Sequence, residues 1–540
     1  MRATLALLLL TSTLFSFAQK QPKLVVGIVI DQMRHDYLQR FEYQFGEDGF
    51  KRMMSQGFEA KNNHYNYIPT YTAPGHASIY TGTTPRYHGI IANDWYSRVL
   101  GRSVYCVGDT LYNATGGSAM NGKISPRNLQ VNTITDELKL STNFQSKVVG
   151  VSIKDRGAVL PAGHTPNGAY WYDSRTGEFM TSDFYFKELP KWVQDFNKQR
   201  LPNKYADQVW NTLKPIESYK QSTADNVPYE GGFKGKDTPT FPYDLSKLRK
   251  ENGPYGIIRS TPFGNTLVLD MAKAALKGED LGTDDVMDFL AVSLSSTDYV
   301  GHNFGPNSVE LEDTYVRLDK DLGEFLKYLD KEVGEGNYMV FLTADHGVVA
   351  NPQFLTDNNL PGGFYNSDEA KASFGGLIQE LGSEDYVLNI SNDQIFLNRD
   401  FIKSKDENLE EIQTLFAQQA MELDVVTESF TATDLSRFDY SDPMRKSLQN
   451  GYNRRLSGDV LLLKKAGYLS GGYGSTGTTH GSGFTYDTHV PLLFFGAGVK
   501  HGSTVEKTYI TDIVPTLAML MNISLPNGAI TGEPIEEIFE

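Results

Sequence analysis

Five short apolar runs constrain this chain more than any other feature: 24–30 (LVVGIVI), 147–153 (KVVGVSI), 289–294 (FLAVSL), 338–342 (YMVFL) and 491–495 (PLLFF). All are strand-sized, and none shows the polar/apolar alternation of a strand with one wet face. Continuous Val/Ile/Leu runs of this kind suit parallel strands buried on both sides. Helical patterns fall between them, clearest over 311–329, where Leu311, Tyr315, Leu318, Leu322, Phe325, Leu326 and Leu329 recur at i+3/i+4. Strands alternating with helices predict an α/β fold: a doubly wound, mostly parallel central sheet with helices on both faces.

Two stretches break the rhythm and read as inserted cap subdomains. Residues at about 165–260 are rich in Tyr, Trp, Pro, Lys and Asp without clean periodicity, and those at about 385–475 carry a strand-like start and an acidic helical segment near 409–420. The expected organisation is one catalytic domain, 19–540, carrying both insertions. Residues 1–18 read as a secretory signal peptide: Arg2, an apolar stretch from Ala6 to Phe17, and small residues at Ser16 and Ala18. That stretch is shorter than the ~20 residues a spanning helix needs. The mature protein is therefore expected to be exported, periplasmic or secreted from a bacterium, with no membrane insertion.

Composition narrows the chemistry. With 50 Lys+Arg against 66 Asp+Glu, the net charge of −16 argues against a general nucleic-acid binder. The single cysteine, Cys106, permits no intramolecular disulfide and no thiolate metal site. Any metal must be held by oxygen and nitrogen.

In open α/β sheets ligands bind beyond the carboxyl ends of the strands. There the sequence places Asp31 after the first run, Lys154 and Arg156 after the second, Asp298 and His302 after the third, and Asp345 and His346 after the fourth. His489 immediately precedes the last. Three clustered carboxylates would repel one another, and cations resolve the conflict. Carboxylate and imidazole together suit Zn²⁺. Thr72, in Tyr-Thr-Ala-Pro-Gly-His, begins a segment that can form a helix. It reads either as a capping residue or as a metal-activated hydroxyl nucleophile.

The set Asp31, Thr72-x-Pro-Gly-His, Asp298-x-x-x-His302, Asp345-His346-Gly347, Thr488-His489-Val490-Pro491 and Thr511-Asp512-Ile513-Val514-Pro515 resembles the alkaline phosphatase superfamily. The resemblance implies two zinc ions, one held by Asp298, His302 and His489, the other by Asp31, Asp345, His346 and Thr72. It also implies that Asn93, Lys154 and Arg156 bind the substrate's phosphoryl oxygens. Sulfatases of this fold need a convertible Cys or Ser followed by x-Pro-x-Arg, whereas here Thr72 cannot be converted and His76 replaces the arginine. Lys154-x-Arg156 resembles the bacterial phosphate-irrepressible alkaline phosphatase branch, because a monoester dianion gains from extra cations.

The expected function is then an exported, metal-dependent hydrolase of small phosphate monoesters that forms a phosphothreonine at Thr72 and acts as a monomer. A phosphodiesterase or nucleotide pyrophosphatase of the same superfamily, or a non-catalytic exported metal- or phosphate-binding protein, are the alternatives. The global charge disfavours polyanions, but two divalent cations with Lys154 and Arg156 would make the site itself cationic.

Overall fold

The computed structural model describes residues 21–470 and 476–539. The expected signal peptide lies outside the described residues, as does part of the glycine-rich tract 471–483, expected to be a flexible loop.

The five apolar runs do form buried strands of one sheet. In chain order its members are β1 (Leu24–Ile30), β2 (Phe58–His64), β3 (Ala114–Thr115), β4 (Val148–Ser152), β5 (Gly168–Asp173), β6 (Glu178–Ser182), β7 (Asp288–Leu294) and β8 (Tyr338–Thr343). Four strands of the second inserted region, β9 (Val387–Ser391), β10 (Gln394–Leu397), β11 (Val426–Thr431) and β12 (Val460–Lys464), stand apart from it. β13 (Leu492–Gly496) and β14 (Gly502–Tyr509) complete the central sheet. Across that sheet the order is β14-β2-β13-β8-β1-β7-β4-β5-β6-β3, ten strands among the described residues. The run β8-β1-β7-β4-β5 is parallel. β13 pairs antiparallel with β8 and with β2. Every residue of β1, β7 and β8 is buried, as unbroken apolar runs require. The fold is the α/β architecture expected.

Register fixes where the chemistry emerges. Ile30 pairs with Leu294, Val29 with Thr343, and Ser293 with Ser152. The strands therefore end level, and Asp31, Lys154 and Asp345 all lie within two residues of one carboxyl edge. Four helices matter there: α1 (Thr72–Thr81), α2 (Asp155–Ala162), α3 (Ser296–Phe304) and α4 (Val309–Leu329).

The stretch 165–260 begins with β5 and β6, which extend the central sheet, so its first residues belong to the sheet and not to a cap. Their side chains are nearly all buried, and an aromatic strand such as GAYWYD lacks the Val/Ile/Leu signature. The region 385–475 builds an antiparallel sheet in the order β9-β10-β12-β11. The helix Leu409–Met421 packs on it around Phe416, Ile395 and Tyr386, a core separate from that of the central sheet.

Candidate active site

Thr72 is the first residue of α1 and is 1 % exposed. Helix α1 can lie this close to the sheet edge because Gly75 has no side chain: a Cβ there would come within 2.3 Å of the Asp345 carbonyl oxygen. The Thr72 hydroxyl stands 3.5 Å from His346 Nε2. Asn93 accepts the Ala73 N–H through Oδ1 at 2.9 Å, which fixes its amide beside the start of the helix.

Around that hydroxyl the carboxylates converge. His346 Nε2 lies 3.5 Å from Asp31 Oδ1 and 3.7 Å from Asp345 Oδ2. Asp298 Oδ1 lies 3.0 Å from His302 Nε2 and 3.8 Å from His480 Nε2. The His346 and His480 rings stack with centroids 3.4 Å apart. Donor atoms of Asp31, Asp345 and His346 fall within 4.8 Å of one another, and so do those of Asp298, His346 and His480. Lys154 Nζ bridges the two groups, 2.7 Å from Asp31 and 2.6 Å from Asp298. Arg156 follows on the first turn of α2, its Nη1 donating to Tyr105 OH at 3.1 Å.

Sequence reasoning missed His480 and chose His489. The structure does not bring His489 to Asp298 and His302. Strand β13 runs antiparallel to β8, so His489 does reach the same edge of the sheet, but on the β2 side. There its ring is stacked between His35 and His64, with centroids 4.4 and 4.5 Å away, and its Nε2 donates to the Lys61 carbonyl. His480, which the sequence reading leaves structural, comes instead from the glycine-rich tract expected to be a flexible loop. Gly481 permits that loop, since a Cβ there would meet the Tyr71 ring at 2.5 Å and its φ is +129°. Asp487 Oδ2 then accepts the N–H groups of Gly481 and Ser482, at 3.1 and 2.8 Å. A histidine flanked by small residues in a glycine-rich tract was the available signal.

Whether these residues suit metal ions can be read from their hydrogen bonds. His302 Nδ1 donates to Thr478 O, His346 Nδ1 to Gly347 O, and His480 Nδ1 to Thr70 O, at 2.8, 2.9 and 2.7 Å. Each ring thereby leaves Nε2, with its lone pair, facing the carboxylates, the arrangement that orients metal-binding imidazoles. Asp31 Oδ1 and Asp345 Oδ2 are buried without any hydrogen-bond partner. One lysine faces three buried carboxylates, which leaves an excess of negative charge. Burial, then the Asp31 charge, pushes the Asp345 carboxyl well up. Burial opposes ionisation of Asp298 too, but His302 and Lys154 hold it well below the usual carboxylate range. Burial drives His346 down to about 4 and His480 lower than its ordinary value, so both stay neutral, as ligands must. The donor set fits two divalent cations accepting nitrogen and oxygen.

The site opens into a cavity of about 630 Å³ whose lining includes Asn93, His302 and His480 together with Tyr365, Lys464 and Tyr486. Lys464, at the end of β12, is paired with Asp393 at 2.8 Å. The second inserted region thus walls the space beyond the cluster.

Because Asp487 holds the loop without touching the cluster, Asp487→Ala is expected to lower metal affinity about 10- to 100-fold, the usual cost of losing support behind a ligand. Metal content after dialysis against graded chelator, compared with the parent protein, measures it.

Comparison with known proteins agrees with this geometry. The family described as type I phosphodiesterase / nucleotide pyrophosphatase matches residues 25–485. The chain is 47 % identical over 523 residues to alkaline phosphatase PafA of Elizabethkingia meningoseptica, covering 96 % of this chain and 95 % of that protein. It is 48 % identical over 520 residues to alkaline phosphatase PhoV of Synechococcus elongatus, covering 96 % and 93 %. A Myroides odoratus protein named calcium-transporting ATPase is 47 % identical over 535 residues, covering 97 % of each chain. No helix among the described residues here is long and apolar enough to cross a membrane. The crystal structure of wild-type PafA superposes with a TM-score of 0.93 at 47 % identity, covering 97 % of this chain and all of the other. A second PafA structure, with a TM-score of 0.92 and 46 % identity over the same shares, carries substitutions of one threonine, one asparagine, one lysine and one arginine. The chain belongs to the type I phosphodiesterase / nucleotide pyrophosphatase family of the alkaline phosphatase superfamily, and within it to the PafA-type phosphomonoesterases.

Proposed function

We propose that this protein is an exported alkaline phosphatase that hydrolyses small phosphate monoesters through a phosphothreonine at Thr72, with two zinc ions as its metals. The observation that carries the monoesterase reading is the pair of cations at this strand end: Lys154 reaches Asp31 and Asp298, and Arg156 follows in the first turn of α2. A monoester dianion offers two charged non-bridging oxygens, and each additional cation is better used on it than on a diester monoanion. The four residue types altered together in the PafA variant, Thr, Asn, Lys and Arg, are the four that this reading assigns here.

Asp298, His302 and His480 would hold one metal, and Asp31, Asp345, His346 and the Thr72 oxygen the other. When bound, such metals supply positive charge that makes a hydroxyl or water more acidic and that offsets charge on a departing oxygen. Thr72 Oγ attacks phosphorus in line as the bond to the leaving oxygen breaks. Its position as the first residue of α1 sets it at the positive end of the helix dipole, which favours the incoming phosphoryl group. Asn93, Lys154 and Arg156 grip the non-bridging oxygens in this step, and again when water displaces Thr72 to release phosphate. Lys154 must leave the two carboxylates that it bridges to do so, which the arrival of metal charge favours.

The test compares hydrolysis of an aryl phosphate monoester, a diester and a sulfate by purified protein, with and without chelator. Monoester turnover that dominates and is lost with chelator supports the reading. Dominant diester turnover would replace it with the nucleotide pyrophosphatase reading. Lys154→Ala and Arg156→Ala are each expected to reduce monoester kcat/KM by at least about 10-fold more than diester kcat/KM, charge-assisted contacts being the strong ones. Equal losses on both substrates would count against their reading of a dianion.

A further inference from the structure

The amino-terminal end of α4 presents three buried acids, Glu310, Glu312 and Asp313. Two of them have partners for both oxygens. Asp313 accepts from Trp210 Nε1, the Leu213 N–H and Tyr219 OH at 2.6–2.7 Å. Glu312 accepts from Tyr43 OH and Ser222 Oγ at 2.5 and 2.6 Å. Glu310 differs: its Oε1 accepts from Tyr243 OH at 2.5 Å, while its Oε2 has no partner.

Glu230 repeats the pattern. Its Oε1 receives one long bond from Thr223 Oγ1 at 3.4 Å, and its Oε2 has none. The main chain sets Glu230 against the turn that begins α4, because Thr223 N–H donates to Asn307 O and Gly231 N–H to Asn303 O. Glu310 and Glu230 are 0 % and 5 % exposed. Burial first, and then the Glu310 charge, pushes Glu230 up to about 9; burial likewise pushes Glu310 up to about 8. Two such carboxylates need positive charge near them. A shared proton would neutralise one, whereas a divalent cation neutralises both.

We propose that Glu230 and Glu310 hold a structural calcium ion, with the hydroxyls of Thr223 and Tyr243 beside it. All four donors are oxygen, the set that a hard cation takes, and no imidazole is present to favour zinc. Calcium accepts an irregular shell, where magnesium demands a near-ideal octahedron. None of the four residues belongs to the phosphatase cluster. The ion would fasten the segment 222–243 to the first turn of α4, the helix that follows the one carrying Asp298 and His302.

Zinc-loaded full-length protein, freed of calcium on a chelating resin, is titrated with calcium chloride in a calorimeter and melted with and without calcium. One calcium site per chain and a higher Tm with calcium are expected. Glu230→Gln and Glu310→Gln keep the shape of a neutral carboxyl and should still fold, but each should bind calcium at least about tenfold more weakly. Two results overturn the proposal. One is no calcium binding by the parent, with Gln variants as stable as it or more so, which identifies a shared proton. The other is undiminished binding in both variants, which moves the calcium elsewhere.

Discussion

Thr72→Ala is expected to lower phosphate-monoester kcat on the order of 10⁴-fold or more, the scale of losing a covalent nucleophile that acts as part of a unit. The protein should remain folded. Thr72 Oγ1 makes one long contact, 3.5 Å to His346 Nε2, and α1 is held at this end by the bond from Ala73 N–H to Asn93 and by His76, whose Nδ1 donates to the Thr72 carbonyl at 2.9 Å. Circular dichroism should be unchanged and most of the metal retained, since the remaining donors of both groups are intact. Rapid quench with labelled substrate provides the second readout: acid-stable label accumulates on the parent chain and is absent from the variant. Turnover within tenfold of the parent would remove Thr72 from its role.

The second large effect separates two histidines. His480→Ala removes a ring that stacks on His346 and lies 3.8 Å from Asp298. Affinity for one of the two metals should fall by more than about 100-fold, beyond the cost of losing a supporting residue, and monoesterase activity should fall with it. His489→Ala removes a ring packed between His35 and His64 and should leave activity within about threefold of the parent. Zinc content and kcat/KM of the two variants, measured side by side, decide the matter. Equal damage at both positions, or damage at His489 alone, would restore the assignment that the sequence suggests.

That contrast shows where the sequence is informative. Strands buried on both faces declare themselves as runs such as LVVGIVI and YMVFL, and they locate whatever follows them. Asp31, Lys154, Asp298, His302, Asp345 and His346 were therefore legible. His480 has no such marker. It sits among Gly, Ser and Thr, where no periodicity exists, and its position depends on Asp487 and Thr70, which accept its loop's N–H groups and its own ring N–H. His489 looked better because it adjoins an apolar run. The place of β13 in the sheet, between β8 and β2, then set it apart from Asp298 and His302, and the order of strands is a property of pairing that a single run does not encode. Strands β5 and β6 escaped for a related reason: Tyr and Trp in β5, and Phe and Met in β6, fill the sheet there without the branched aliphatic pattern.

The order of the cluster along the chain has a further consequence. Asp31, Thr72, Asp298, His302, Asp345 and His346 all precede the region that forms the antiparallel sheet, and His480 follows it. A chain folding from its amino end can complete the central parallel strands and still lack the last imidazole until roughly nine-tenths of the polypeptide has emerged. With His480 holding a metal as proposed, catalysis waits for the region before it to be made. The appearance of phosphatase activity during refolding is accordingly a clock for the docking of the 385–475 region, and it should lag the recovery of secondary structure.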